Sequence, residues 1–191
     1  MAVAKGRPLL PSIDPLTGVY DRATLLSMLF RETDRAQRMN TTLCLLLIAV
    51  EVGKGTFPYP NAVIQDELLR QAAAQLSRQL RSYDLLGRVD ENTFLAVLPG
   101  CDETDAGSLA ERIARHVFAK QFIVGCNSIH LTAFFGRAMS KGRSPIVVLR
   151  EADQALRLER AGDVRTIDDS GFHVAADSMS VSVMLAAPKN S

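Results

Sequence analysis

The chain has 191 residues, 47% of them apolar and 23% charged, with a net charge of +1. That length and balance suit one globular domain with a real core. Near-neutrality excludes a surface-wide attraction to nucleic acid, so an anionic ligand must be held by a local basic cluster. The longest apolar run, Leu43 to Val50, is far shorter than the ~20 residues that span a bilayer. Ala2 to Pro11 has no apolar signal-peptide core. Cys44, Cys101 and Cys126 lack metal-ligand spacing and read as reduced thiols. A cytoplasmic protein, not inserted in a membrane and not bound to nucleic acid, is the expectation.

In chain order, residues 1–13 carry Pro8 and Pro11 and read as a linker or loose terminus. Asp14-Pro15-Leu16-Thr17-Gly18 is a turn, and Asp21 is placed to cap the helix that follows. That helix runs from about Arg22 to Arg38, with Leu25, Leu26, Leu29 and Phe30 as its apolar stripe. Leu43 to Glu51 reads as a buried strand. The loop Gly53 to Asn61 contains Gly53-Lys54-Gly55-Thr56 but lacks Walker A spacing. Ile64 to Leu80 is amphipathic through Leu68, Leu69, Ala72, Ala73, Leu76 and Leu80, and delivers Arg81 at its end.

Tyr83 to Arg88 and Phe94 to Leu98 read as two strands joined by a polar turn in which Asp90 and Asn92 suit unusual backbone angles. Asp102 to Lys120 reads as a third long helix with an acidic first turn. Phe122 to Val124 and Ser128 to Phe135 read as a further hairpin, and a last helical segment holds Ala152 to Leu156. The order α-β-α-β-β-α-β-β-α indicates an α+β layered domain. Residues 169–191 form a C-terminal extension, where Met179 to Leu185 alternates polar and apolar as an added strand or partner-binding tail would.

One stretch organises these elements: Arg81-Ser82-Tyr83-Asp84, five residues, then Asp90-Glu91-Asn92-Thr93-Phe94 and an apolar strand closing on Leu98-Pro99. It resembles the signature hairpin of GGDEF domains, the diguanylate cyclase family, whose pattern is R-x-x-D, five residues, Gly-Gly-(Asp or Glu)-Glu-Phe and a strand ending in Pro. Asp14 to Gly18 is similar to the DPLTG segment of that family. Thr132 to Ala138 is similar to its T-V-S-I-G-V-A strand, and Ala152 to Leu156 to its A-D-x-A-L helix. The resemblance covers Asp14 to Ile167 and implies a palm-like fold of the nucleotidyl cyclases, a mostly antiparallel central sheet flanked by helices (an α/β sandwich). The domain is expected over residues 14–168.

What the resemblance implies about function is divided. In active members, the first metal-binding Asp falls at Ala49 and the second metal-binding carboxylate at Asn92. Thr93 stands for the Glu nearest the reacting hydroxyl, and Asp90 and Glu91 stand for the two glycines. The Asn that reads guanine becomes Phe57 and the next Asp becomes Pro58, while Lys54 and Asp66 are kept. Mg²⁺ needs oxygen donors that alanine lacks. A degenerate domain without catalysis, cofactor or bound metal is therefore expected.

The inhibitory site of the family, by contrast, is matched by Arg81 and Asp84, with Arg112 on the third helix completing it. Arg115, one turn on from Arg112, is a lesser candidate, and Arg160 falls near a phosphate-contacting position. The implied ligand is cyclic di-GMP, bound as an intercalated pair, with a homodimer or an effector protein as the recipient of the signal. The alternative is an interaction module that binds no nucleotide; a residual cyclase is disfavoured by Ala49, Asn92 and Thr93 together. An Arg81–Asp84 or Arg112–Asp84 salt bridge is the purely structural reading of the same residues.

Overall fold

The computed structural model describes residues 11–54, 56 and 59–168, with side chains through residue 162. Phe57, Pro58 and residues 169–191, with the expected strand or tail at Met179 to Leu185, lie outside the described residues.

Asp14 builds the first turn, its carboxylate accepting from the Thr17 amide at 2.9 Å and the Thr17 hydroxyl at 2.6 Å. Gly18 completes it at φ +73°, a conformation that L side chains rarely adopt. Asp21 then caps α1, Arg22–Met39, by accepting from Thr24 N at 2.8 Å. Asn40, left-handed at φ 51°, closes its far end.

β1, Leu43–Val52, is the central strand and is buried over its first eight residues. Its alternation feeds two cores. Cys44, Leu46, Ile48 and Val50 face one cluster, and Leu43, Leu45, Leu47 and Ala49 face the other. On one side β1 pairs with β3, Thr93–Pro99, which pairs with β2, Leu85–Asp90; on the other it pairs with β6, Leu131–Met139. The sheet order is β2-β3-β1-β6 and every pairing is antiparallel. The first core packs against α2, Ala62–Ser77, and α3, Glu103–Ile113. The second packs against α1 and α4, Pro145–Asp168. The result is the expected α+β sandwich: one antiparallel sheet with helices on both faces.

Element boundaries differ from expectation for local reasons. β2 runs from Leu85 to Asp90 rather than from Tyr83 to Arg88, because Asp84 N donates to Arg81 O and closes residues 81–84 as a turn, which holds Tyr83 out of the strand. α2 ends at Ser77 rather than Leu80. The Ser77 hydroxyl bonds back to Ala73 O, and the next amides make tight i→i−3 bonds, Gln79 to Leu76 and Leu80 to Ser77. Arg81 therefore leaves from a turn, not from a helix end. The third helix changes at Ala114 into a π-helical turn, Ala114–Phe118, where Ala119 N reaches back to Ala114 O. The wider turn lets the neighbours Val117 and Phe118 both enter the core. The expected strand Ser128 to Phe135 is two strands. β5, Asn127–Ile129, pairs with β4, Phe122–Val124, and β6 starts at Leu131. His130 O between them accepts from Gly53 N at 2.8 Å, which hands the chain over to β1.

Candidate functional site

Arg81-Ser82-Tyr83-Asp84 is a turn closed twice. Asp84 N donates to Arg81 O at 3.1 Å, and Arg81 N donates to the Asp84 carboxylate at 2.8 Å. The spacing of three residues is what allows this reciprocal pair. It uses one carboxylate oxygen and none of the guanidinium. The Arg81 guanidinium turns outward, donates to the Tyr83 phenol oxygen at 3.1 Å and lies 5.9 Å from that ring's centroid.

Arg112, in the last turn of α3, donates to Gln79 O at 2.7 Å. That carbonyl lies just past the end of α2, where a cation is favoured by the helix dipole. The bond carries Arg112 across from α3 to the Arg81 turn, so both guanidiniums act on Asp84. Neither forms an ion pair with it within 4 Å among the described residues, and the purely structural salt bridge is not observed. Asp84 is half-buried. Burial is the largest influence on its carboxyl and moves the pKa above the ordinary value, against the Arg81 amide and the Arg81 and Arg112 charges, which pull it down.

Two neighbours were not legible as part of this patch. Cys101 is buried within reach of the Arg81 and Asp84 charges, its thiol pushed up to about 11 chiefly by burial and next by Asp105, and the charge of Asp105 also acts on Arg81. Arg115 sits in the π-helical turn and pairs with Glu111 at 3.9 Å. The charges that act on Asp84 come from Arg81 and Arg112, so the structure brings three of the four expected site residues together and leaves Arg115 to its own helix.

The signature hairpin lies at the end of β1. Arg88 braces its turn by donating from Nε and Nη2 to Glu91 O, at 3.1 and 2.6 Å, and Nη1 approaches the Asp14 carboxylate at 3.4 Å. Arg88 thus links the first turn of the chain to the hairpin. Asp90 accepts from the amide of Glu91 at 2.9 Å, and Asn92 O accepts from Val50 N at 2.9 Å. Ala49 is fully buried opposite Thr93 and Phe134. Glu51 pairs with Arg160 at 2.7 Å, and the Arg160 guanidinium lies 5.9 Å from the Phe134 ring centroid.

Beside the hairpin is a cavity of about 300 Å³ whose walls include Glu51, Tyr59, Gln65, Leu69, Asn92 and Leu131. Asp66, which the sequence keeps from the family pattern, is exposed on α2, and it is Gln65 that lines the cavity. Among the described residues, no group of three or more His, Cys, Asp or Glu is arranged to hold a metal ion. Nor is any described helix long and apolar enough to cross a membrane.

Comparison with known proteins gives one consistent result. The family described as diguanylate cyclase, GGDEF domain, matches residues 12–163. The response regulator PleD of Caulobacter vibrioides is 29% identical over 152 residues, which is 78% of this chain and 34% of PleD. The chain thus spans about a third of that relative's length. The crystal structure of diguanylate cyclase SiaD with its activator SiaC, from Pseudomonas aeruginosa, superposes with a TM-score of 0.73 at 30% identity, over 78% of this chain and 58% of that one. The GGDEF domain of DgcB from Caulobacter crescentus, solved in complex with c-di-GMP, superposes with a TM-score of 0.69 at 21% identity, over 78% of this chain and 90% of that one.

Proposed function

The chain belongs to the GGDEF family of diguanylate cyclases, and from that premise we propose that it is a receptor for cyclic di-GMP that does not make the molecule. The observation that carries this reading is the convergence of Arg81, Asp84 and Arg112 on one patch without an ion pair between them. Guanidinium forks suit phosphate or the O6/N7 edge of guanine, and a carboxylate accepts from guanine N1–H and N2–H₂. Because the turn engages Asp84 through the backbone of Arg81, the Arg81 fork is left for a ligand. Arg112, held at Gln79 O, adds a second fork and a planar face for stacking. That DgcB is solved with c-di-GMP supports the ligand class.

The hairpin supports the second half of the reading. The family implies Mg²⁺ here, but the residues do not fit it. Ala49 offers a methyl group, Asn92 an amide, and the Glu51 carboxylate is already paired with Arg160. The turn is satisfied by Arg88 and by its own side chains. Incubation with GTP and either Mg²⁺ or Mn²⁺ is expected to yield no cyclic di-GMP by chromatography. Turnover that scales with protein and survives Arg81→Ala would overturn this half alone.

Isothermal titration of the chain with cyclic di-GMP tests the receptor half. Micromolar or tighter binding is expected, and a stoichiometry of two ligands would indicate an intercalated pair. A folded protein that takes up no ligand would instead leave an interaction module. The recipient of the signal is proposed to be a second copy or an effector protein; SiaD, solved in complex with its activator SiaC, is a relative that binds another protein.

The same titration should depend on pH through Asp84. Its folded pKa is raised, so the fold prefers the neutral carboxyl, and that contribution to stability is lost as pH rises through the raised pKa. Binding runs the other way, since reading the guanine edge requires the carboxylate. Affinity should be flat near neutrality and fall as pH drops through a point above the ordinary Asp value of about 3.9. Asp84→Asn should bind weakly at every pH and lose the slope. A slope unchanged in that variant would assign it to another group.

A further inference from the structure

We infer that Tyr83 is a working part of the ligand site, its phenol setting the Arg81 fork and its ring stacking on a bound purine. The inference rests on the receptor reading above and adds a residue that the Arg-x-x-Asp spacing leaves unspecified.

Tyr83 is 55% exposed and belongs to neither apolar core, so burial does not account for its position. What holds it is Arg81: the Nη1–phenol bond at 3.1 Å and the guanidinium 5.9 Å from the ring centroid. Arg81 is exposed, and its charge is further favoured first by that phenol bond. A long exposed guanidinium would otherwise sample many rotamers, and fixing it before the ligand arrives lowers the ordering cost of binding.

The ring also immediately precedes Asp84. A guanine whose Watson–Crick edge is read by that carboxylate presents a π face, and an exposed aromatic at the same turn is placed to cover it. Such stacking tolerates many geometries because every base has a π face. Tyrosine adds large contact area with little conformational freedom to lose.

Titrations of the wild type, Tyr83→Phe, Tyr83→Ala and Arg81→Ala with cyclic di-GMP separate the two roles. Tyr83→Ala should lose roughly tenfold in affinity, the scale of one base–aromatic stack. Tyr83→Phe should lose only a few-fold, because it keeps the ring and drops the phenol. The chain has no tryptophan and three tyrosines, so tyrosine emission is a second readout. Ligand should quench it in the wild type and quench it much less in Tyr83→Phe. That arm holds even if Tyr83→Ala folds poorly.

Wild-type affinity in Tyr83→Ala, with binding still lost in Arg81→Ala, would overturn the role of Tyr83 and leave the receptor reading standing. Equal losses in Tyr83→Phe and Tyr83→Ala would overturn the stacking contact. No binding by the wild type would overturn both readings together.

Discussion

Arg81→Ala is expected to lower the affinity for cyclic di-GMP by on the order of a hundredfold or more, from the loss of a charge-assisted fork. The fold should not change. The Arg81 side chain is exposed, and its contribution to the turn is made by backbone groups that the substitution keeps: the amide that donates to the Asp84 carboxylate and the carbonyl that accepts from Asp84 N. Thermal midpoints of wild type and variant should therefore coincide while their titrations differ. Arg81→Lys separates charge from geometry. An ammonium keeps the attraction but not the planar pair of donors, so an intermediate loss is expected. If Arg81→Ala binds like the wild type, the ligand is held elsewhere, and the cavity beside the hairpin is the next place to look.

Gly136→Ala is expected to be the most damaging single methyl group in the domain. Gly136 lies on β6 where α4 crosses it. A Cβ there would sit 2.0 Å from Ala152 O, 2.7 Å from Leu156 Cβ and 2.8 Å from Leu156 N. Two of those atoms are backbone, so no rotamer change relieves the overlap. The helix must lift away, and with it Val148, Ala152 and Leu156, which fill one of the two cores. Overpacking costs about 1–3 kcal/mol where side chains can yield, and about 3 kcal/mol or more is expected here.

For a domain of this size that is a fall in thermal midpoint of roughly 10 °C. Gly162→Ala on the same helix is the control. A Cβ there meets nothing within 4 Å, so the change should be neutral or, through helix propensity, stabilising by up to ~1 kcal/mol. Equal midpoints for Gly136→Ala and the wild type would mean that α4 docks more loosely than the contact implies.

The first prediction rests on a turn of four residues, the second on a contact between residues far apart in the chain that no local pattern reveals. Hydrophobic periodicity was enough to place α1, β1, the β2–β3 hairpin and the layered α+β class, because a period of two or of 3.6 is a local property. Spacing was enough for the family: Arg81 to Phe94 and Asp14 to Gly18 are contiguous motifs, and the family match extends over residues 12–163. Composition was enough to require a local cluster of charge for any anionic ligand.

Other features are decided by packing. α2 stops at Ser77 through bonds made within its last turns, so Arg81 leaves from a turn and not from a helix end. The π-helical turn at Ala114 exists because Val117 and Phe118 are both drawn into the core. The handover from β5 to β6 at His130 depends on Gly53, far upstream.

The candidate site divides in the same way. Arg81 and Asp84 meet because they are three residues apart, which spacing alone reveals. Arg112 joins them only because α3 packs on the same sheet face as α2 and reaches Gln79 O. Tyr83 could be read as an aromatic inside the motif, but not as the partner of Arg81, since its orientation is set by the folded turn. Likewise Glu51 and Arg160 become a pair only when α4 lies along β6 beside β1. Local order was written in the residues; the meeting of distant charges was decided by which faces of the helices the two apolar cores require.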